Sequence, residues 1–354
     1  MKKITALFLS VLLMLSFSAC NDGGSSSTAS KEESKASSAT ESASSAAESA
    51  SSVAETNSGS DGPYKIGLSM NALDEFQTEW LGYFEGYLKA QGHEVTVLNA
   101  ESKVDKQLAD VESLIQMDLD VICIKSVDQD GVVPCFEACE AAGVPSIDID
   151  MGANTDIPAH LLSDQREFGV LIGEYANEWL EKNPDKTIEA GYLIGIDVPS
   201  VIGRRDGWIE TMDEAGNKDK YNLLAEKVCN WSATEAMAVV EDWMQAYPDM
   251  NWIVAMSDEM AIAAVNVVEA AGRSGEVVIC GVDGSPNAQE HIKAGTMTGT
   301  SFIPRKQLAE TAGEYVIKIC GGDTSYFGTD VDIGAGLYAF LTKDNIDSEL
   351  AKYE

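Results

Sequence analysis

The fold is decided by residues 257–286, which read SDEMAIAAVNVVEAAGRSGEVVICGVDGSP. This pattern predicts a strand end, a helix, a short turn and a second strand that finishes in a Gly-Val-Asp-Gly loop. The run VVIC at residues 277–280 is short and continuously apolar, as expected of a strand covered on both faces. Gly281 and Gly284 flank Asp283 where that strand should stop. Because ligands of open α/β sheets bind beyond the carboxyl ends of the strands, Asp283 is the first candidate for ligand contact.

The same alternation of strands and helices continues on both sides of this stretch. Strands that alternate with helices of 10–15 residues indicate βαβ units and a parallel sheet. Two successive sets of similar size predict two similar α/β lobes. The predicted strands are residues 64–70, 94–98, 120–124, 145–150, 189–194, 224–228, 252–256 and 298–302. The predicted helices are an element that ends at Gly92 and residues 104–117, 132–142, 168–180, 204–215, 234–247 and 306–319.

The composition excludes several classes of protein. The 354 residues are 45% hydrophobic, which is enough for one large domain or two ordinary ones, and their formal net charge is −34. Nucleic-acid binding is disfavoured because phosphate contacts require a high density of Lys and Arg. The three histidines are scattered and no CxxC spacing occurs, so we expect no metal site. No G-x-G-x-x-G follows the first strand, and we expect no cofactor.

The N-terminus has the features of an export signal rather than of folded structure. Two lysines precede an apolar run at residues 4–17, and Ser-Ala-Cys follows and ends at Cys20. This arrangement resembles a bacterial lipobox, which implies a signal peptide of residues 1–20 and a lipid on Cys20. The lipid would anchor the protein to the outer face of the cytoplasmic membrane. The alternative is an ordinary secretory signal cut near Ala19.

The segment after the predicted signal, residues 21–62, is dominated by Ser, Ala and Glu and contains no aromatic residue. Such a composition cannot bury a core, so the segment is predicted to be a disordered tether. A flexible coil of this length spans roughly 35 Å r.m.s.. The folded part is expected to begin near Tyr64. Of the six cysteines that follow Cys20, most are expected to be small buried hydrophobes, although a disulfide is left open.

Five short motifs occur in order along the folded part of the chain. They are ID at residues 149–150, RRDGW at 204–208, SDEMA at 257–261, VDGSP at 282–286 and KDN at 343–345. Together they resemble the type I periplasmic binding proteins of the ribose-binding group, the solute receptors of sugar ABC transporters. Repressors of the lactose type share this core, but they carry a DNA-binding helix-turn-helix where this chain has a signal and a tether.

The resemblance implies an α/β fold with two Rossmann-like lobes, parallel sheets, a hinge of three crossovers and a ligand cleft between the lobes. Lobes of this kind close on a ligand by hinge motion. The crossovers are expected near residues 163–164, 302–303 and 329–331. The N-terminal lobe would then contain residues 63–164 and 303–330, and the C-terminal lobe residues 165–302 and 331–354.

The resemblance also implies a set of ligand-binding residues. Carboxylates accept strong hydrogen bonds from vicinal hydroxyls, and aromatic rings cover the C–H faces of a sugar. The residues that match the group's ligand-binding positions are Asp150 and Asp283 as carboxylates, Trp231 as a stacking ring, Ser257 where asparagine is common, Asn71 as a polar contact in the first loop, Phe76 or Trp80 as a second ring, and Phe302 at the hinge.

The cleft also departs from the group's pattern. Met151 follows Asp150 where arginine is usual, and a second ligand-binding arginine falls at Ile202. Arg204 is interpreted as a structural residue of its helix, and Phe302 replaces a hinge amide. We therefore expect a cleft with few cationic donors and added apolar surface. Such a cleft disfavours ribose and simple aldopyranoses and leaves a deoxysugar, a polyol, a modified sugar or a non-sugar signal open.

These observations predict a monomeric, lipid-anchored solute receptor that passes a small sugar or polyol-like ligand to the permease subunits of an ABC importer. The alternative is a sensing lipoprotein that presents its ligand to a membrane sensor kinase or chemoreceptor. An enzyme such as a glycosidase with paired carboxylates is disfavoured. Acidic pairs arise by chance in so acidic a chain, and no Ser-His-Asp or Cys-His constellation is visible.

Overall fold

The computed structural model describes residues 62–353, except the side chains of residues 199 and 200. These residues contain twelve strands and ten α-helices. The strands are β1 (Lys65–Met70), β2 (Glu94–Asn99), β3 (Val121–Lys125), β4 (Ser146–Asp150), β5 (Ala159–Leu162), β6 (Ile188–Ile194), β7 (Tyr221–Val228), β8 (Trp252–Ala255), β9 (Val278–Asp283), β10 (Gly299–Phe302), β11 (Asp330–Asp332) and β12 (Ala339–Thr342). The helices are α1 (Glu75–Ala90), α2 (Val104–Ile115), α3 (Val133–Ala142), α4 (Gln165–Lys182), α5 (Pro199–Glu214), α6 (Ala233–Ala246), α7 (Asp258–Ala270), α8 (Pro286–Ala294), α9 (Arg305–Cys320) and α10 (Ile346–Leu350).

The strands form two six-stranded sheets. The order in the first sheet is β11-β5-β4-β3-β1-β2, and all neighbouring strands in it are parallel. The order in the second sheet is β12-β10-β9-β8-β6-β7, in which β12 alone runs antiparallel to its neighbour. Each sheet with its helices forms one lobe. The predicted α/β fold with two lobes and largely parallel sheets is confirmed.

The chain passes between the two lobes three times. It leaves the first lobe after β5 and returns after β10, as the packing of the next helix, α9, against α1 shows. It leaves the first lobe again after β11. The third crossover was expected near residues 329–331. The structure has it at residues 333–338, because β11 continues its parallel pairing with β5 through Asp332. Residues 331 and 332 therefore belong to the first lobe.

Helix caps gather polar side chains at the carboxyl edge of each sheet. Asp74 caps α1 by accepting a hydrogen bond from the backbone N–H of Gln77 at 2.8 Å. Ser257 caps α7 and Ser285 caps α8 in the same way. A parallel sheet places the N-terminus of each following helix at this edge. The caps that start the helices therefore also line the space between the lobes.

A buried ion pair fastens β4 to β5 below the edge of the first sheet. Asp148 and His160 face each other across the two strands, with Nδ1 of His160 2.9 Å from Oδ2 of Asp148. Nε2 of His160 donates to the carbonyl oxygen of Thr155 at 2.8 Å. Burial acts to lower the pKa of His160, but its hydrogen bond to Asp148 and the negative charge of that residue raise the pKa overall. The pair holds the end of β4, and with it Asp150, in place.

Helices α4 and α5 approach each other backbone to backbone through glycines. A Cβ atom at Gly169 would lie closer than 3.0 Å to the carbonyl oxygen of Arg204, and one at Gly207 would be as close to that of Arg166. Only a residue without a Cβ fits such an approach. This contact fixes the position of the first turns of α5, where Arg204 lies.

Candidate ligand-binding site

A cavity of about 140 Å³ lies between the carboxyl edges of the two sheets and takes its walls from both lobes. One proposed ligand residue, Phe302, does not line it. The ring of Phe302 packs against Tyr353 with the ring centroids 5.0 Å apart, and the neighbouring Ile303 lines the cavity instead. The proposed residues that do line the cavity are Asn71, Phe76, Asp150, Trp231, Ser257 and Asp283.

Asp150 is the carboxylate that the first lobe contributes. It ends β4, and its Oδ2 lies 3.1 Å from Nζ of Lys125 and 3.4 Å from Nε2 of Gln77. Lys125 is buried and sits 4.0 Å above the ring of Trp80. Both contacts involve Oδ2, so Oδ1 is the oxygen that can accept a hydrogen bond from a ligand. Trp80 therefore supports Lys125 rather than lining the cavity.

Asp283 is the corresponding carboxylate of the second lobe. Its Oδ2 accepts a weak hydrogen bond from the backbone N–H of Asp258 at 3.4 Å. Asp258 itself accepts from Thr300 at 2.6 Å and from the backbone N–H of Ser285 at 2.7 Å. Burial raises the pKa of Asp258, and the charge of Asp283 adds to this effect. Asp258 is thus tied to the protein, whereas Asp283 is the less engaged carboxyl of the two.

Arg204 lies in the cavity wall between these carboxylates. Its Nε donates to Oε1 of Gln165 at 2.8 Å, and its Nη1 donates to the carbonyl oxygen of Met256. Burial lowers the pKa of Arg204, while the charges of Asp283 and Asp150 act to raise it. Arg204 was expected to be a structural residue of its helix in a cleft with few cationic donors. It is indeed held by protein acceptors, but it also lines the cavity. The α4–α5 contact turns the first part of α5 so that this arginine reaches the cavity.

Trp231 lines the cavity as a half-buried ring. The guanidinium of Arg204 lies 5.4 Å from its ring centroid. A Cβ at Gly195 would clash with the ring, so Trp231 rests directly on the backbone at that glycine.

Seven residues other than glycine have positive φ within residues 62–353, and three of them line the cavity. Asp150, Trp231 and Asp283 have φ values of +90°, +58° and +124°. Residues other than glycine rarely adopt positive φ, and such strain concentrates at functional sites. Three of the proposed ligand residues are therefore held in conformations that cost free energy, which supports a role in binding.

Comparison with known proteins identifies the family. Residues 66–324 match the family described as the periplasmic binding protein domain. The chain belongs to this family. Its two lobes and the cavity between them have the arrangement expected of a type I periplasmic sugar-binding protein, as the motifs predicted.

This periplasmic binding protein is similar to curated sugar- and polyol-binding proteins. The ribose import binding protein of Salmonella typhimurium is 26% identical over 243 residues, which cover 68% of this chain and 79% of that protein. The xylitol-binding protein of Mycolicibacterium smegmatis is 26% identical over 287 residues, covering 80% and 78%. A solute-binding protein of an ABC transporter from Actinobacillus succinogenes, with bound D-allose, has a TM-score of 0.72 and 26% identity and covers 80% and 99%. These relatives are binding proteins and not enzymes, in agreement with the prediction.

The first-lobe wall of this periplasmic binding protein contains a residue that the sequence analysis missed. Arg305 begins α9, lines the cavity and lies 4.8 Å from the ring of Phe76. Its Nη1 forms an ion pair with Glu79 at 3.1 Å. No motif marks Arg305, and only the packing of α9 on α1 brings it to the cleft.

Asn71 also lines the cavity from the first lobe. Its Oδ1 accepts a hydrogen bond from the backbone N–H of Ala72, which leaves its amide hydrogens for a ligand.

Residues 62–353 contain no cluster of metal-ligating side chains and no disulfide. Within that range no group of three or more His, Cys, Asp or Glu residues could hold a metal ion, and all six cysteines are unpaired thiols. The same residues contain no helix that is both long and apolar enough to cross a membrane. The predicted signal, the predicted lipidation at Cys20 and all but the last residue of the predicted tether lie outside the described residues.

Proposed function

We propose that this chain is the extracytoplasmic solute-binding lipoprotein of a sugar-type ABC importer and that it binds a small sugar or polyol between its lobes. The observation that carries the proposal is the presence of Asp150 from one lobe and Asp283 from the other in a single cavity, with Arg204 near both. Carboxylates accept strong hydrogen bonds from vicinal hydroxyls, and Arg204 donates to hydroxyl or ring oxygens. A ligand bound by both carboxylates holds the lobes closed.

Charge pairing in the cavity favours a neutral ligand. Lys125 is paired with Asp150, Arg305 is paired with Glu79, and Arg204 lies between carboxylates. Since each of these cations is already compensated, a phosphate or carboxylate ligand would add uncompensated negative charge. Four more acidic side chains line the cavity, and they belong to Asp74, Glu75, Asp258 and Glu259. Ribose, xylitol and allose, the ligands in the names of the relatives, are all neutral and polyhydroxylated.

The proposed function predicts stabilisation by a neutral polyol. Thermal unfolding with D-ribose, D-allose and xylitol should show a higher Tm with at least one of them. A ligand at 100 times its Kd adds about 2.7 kcal/mol to the free energy of unfolding, which corresponds to about 5 °C or more. Inorganic phosphate and an amino acid mixture serve as controls. A shift with either control and none with sugars or polyols would refute the proposal.

We also propose that Cys20 carries a lipid anchor. Support comes from the two lysines, the apolar run at residues 4–17 and the Ser-Ala-Cys that ends at Cys20. Cys20→Ala should abolish incorporation of labelled fatty acid into the protein, because the acyl chains are attached to the thiol and the new N-terminus. Labelling of cells that express the native chain and the variant measures this. Equal incorporation in both forms, or none in the native chain, would contradict a lipid at Cys20.

A further inference from the structure

Two polar atoms on residues that line the cavity have no hydrogen-bond partner. They are Nε of Arg305, whose residue is 6% exposed, and Oε1 of Gln77, whose residue is 7% exposed. Buried polar groups are almost always satisfied, because an unpaired one costs about 1–3 kcal/mol. The other such atoms among residues 62–353 lie on Tyr192, Trp208 and Trp252, which do not line the cavity.

The Nε–H of Arg305 has no acceptor, whereas that of Arg204, the second arginine of the cavity, has one. Nε of Arg204 donates to Gln165, so the protein itself saturates that side of the guanidinium. Arg305 is fixed by its ion pair with Glu79 and by the ring of Phe76, yet its Nε–H is left over. A purely structural arginine held this firmly would be expected to have its Nε–H satisfied as well.

Gln77 lies on α1 between the two residues that hold Arg305. Its Nε2 donates to Asp150 at 3.4 Å, which fixes the orientation of the amide and turns Oε1 away from that carboxylate. The unpaired Nε–H of Arg305 and the unpaired Oε1 of Gln77 therefore belong to the same wall of the first lobe. A ligand oxygen can accept from Nε of Arg305, and a ligand hydroxyl can donate to Oε1 of Gln77.

We infer that Arg305 and Gln77 determine ligand specificity by requiring an oxygen acceptor for Nε of Arg305 and a hydroxyl donor for Oε1 of Gln77. The inference rests on the proposed function and makes it more specific, because it selects ligands that present hydroxyls to the first-lobe wall over analogues that lack one of them. Arginines are expected by resemblance at Met151 and Ile202, and Arg305 supplies a donor from a different element. Arg305 follows the second crossover directly, since β10 ends at Phe302 and α9 begins at Arg305.

Substitution of Arg305 provides the test. Arg305→Lys keeps the charge and the ion pair with Glu79 but removes Nε–H. Isothermal titration uses D-ribose, D-allose and xylitol, each with its monodeoxy analogues. R305K should bind the parent compound that the native chain binds about tenfold more weakly than the native chain does. One monodeoxy analogue of that compound lacks the hydroxyl that contacts Arg305. R305K and the native chain should bind this analogue with nearly the same affinity. Gln77→Met removes Oε1 and also the Nε2 donor to Asp150. It should weaken binding of the parent compound, and it should weaken binding less for the analogue that lacks the hydroxyl donated to Oε1.

Arg273→Lys is the matched control, since Arg273 is also ion-paired but lies outside the cavity. It should bind every compound as the native chain does. If R305K and Q77M bind the parent compounds with native affinity, or weaken the parents and all analogues equally, the inference is overturned and the proposed function stands. If the native chain binds none of the three parents, the proposed function fails and this inference fails with it.

Discussion

Replacing Asp283 with alanine should weaken ligand binding by about 100-fold or more. The carboxylate offers acceptors for two charge-assisted hydrogen bonds, each contributing about 1.5–3 kcal/mol, and each 1.4 kcal/mol corresponds to a factor of ten in Kd. Asp283 is less engaged with the protein than its neighbour Asp258, so its acceptor capacity is available to a ligand. Isothermal titration with the compound that raises the Tm of the native chain measures the loss.

Asp197→Ala is the matched control for this change. Asp197 is exposed and follows β6 in the same lobe, but it does not line the cavity. The control should bind the ligand with native affinity. If D283A retains its affinity within about threefold, the site has been assigned to the wrong place in the cleft, whatever the ligand is.

Replacing Gly169 with alanine should destabilise the protein by about 3 kcal/mol or more. The new methyl group would lie closer than 3.0 Å to the backbone oxygen of Arg204, and neither helix backbone can move without separating α4 from α5. Ligand binding should weaken as well, because Arg204 would shift with α5. Thermal unfolding and titration of the same preparation measure both effects.

Gly82→Ala is the control for the general effect of a methyl group on a helix. Gly82 lies within α1, and a Cβ there would have no atom within 4 Å. Alanine should therefore stabilise the helix by about 0.5–1 kcal/mol, as it does at unconstrained helical positions. Equal Tm changes in G169A and G82A would contradict the close helix approach.

The sequence was most informative where a local rule decides the outcome. Asp283 could be placed at the cleft because it follows a buried apolar run, and ligands of parallel sheets bind beyond such strand ends. Asp150, which ends a strand of mixed composition, was placed there by the resemblance of its motif. Strands β5, β11 and β12 were not predicted. They have only three or four residues, too few for a periodic pattern, and their pairing depends on neighbours distant in the sequence.

The cations of the cleft could not be predicted from local pattern. Whether Arg204 faces the core, the solvent or the cavity depends on the glycine contact between α4 and α5. Arg305 reaches the cavity because α9 crosses to the first lobe and packs on α1. Lys125 is the last residue of a buried strand. Its buried charge is stabilised by the ring of Trp80 and by the ion pair with Asp150. Each of these positions is set by contacts between elements far apart in the chain.

Trp231 has a practical consequence for experiments on this protein. All six tryptophans lie in residues 62–353, and Trp231 alone among them lines the cavity. Indole emission shifts with the polarity of its surroundings, and a ligand that covers the ring excludes water from it. The unlabelled protein therefore carries an internal optical reporter of occupancy. Stopped-flow recording of its fluorescence can separate the capture of a ligand from the slower closure of the lobes.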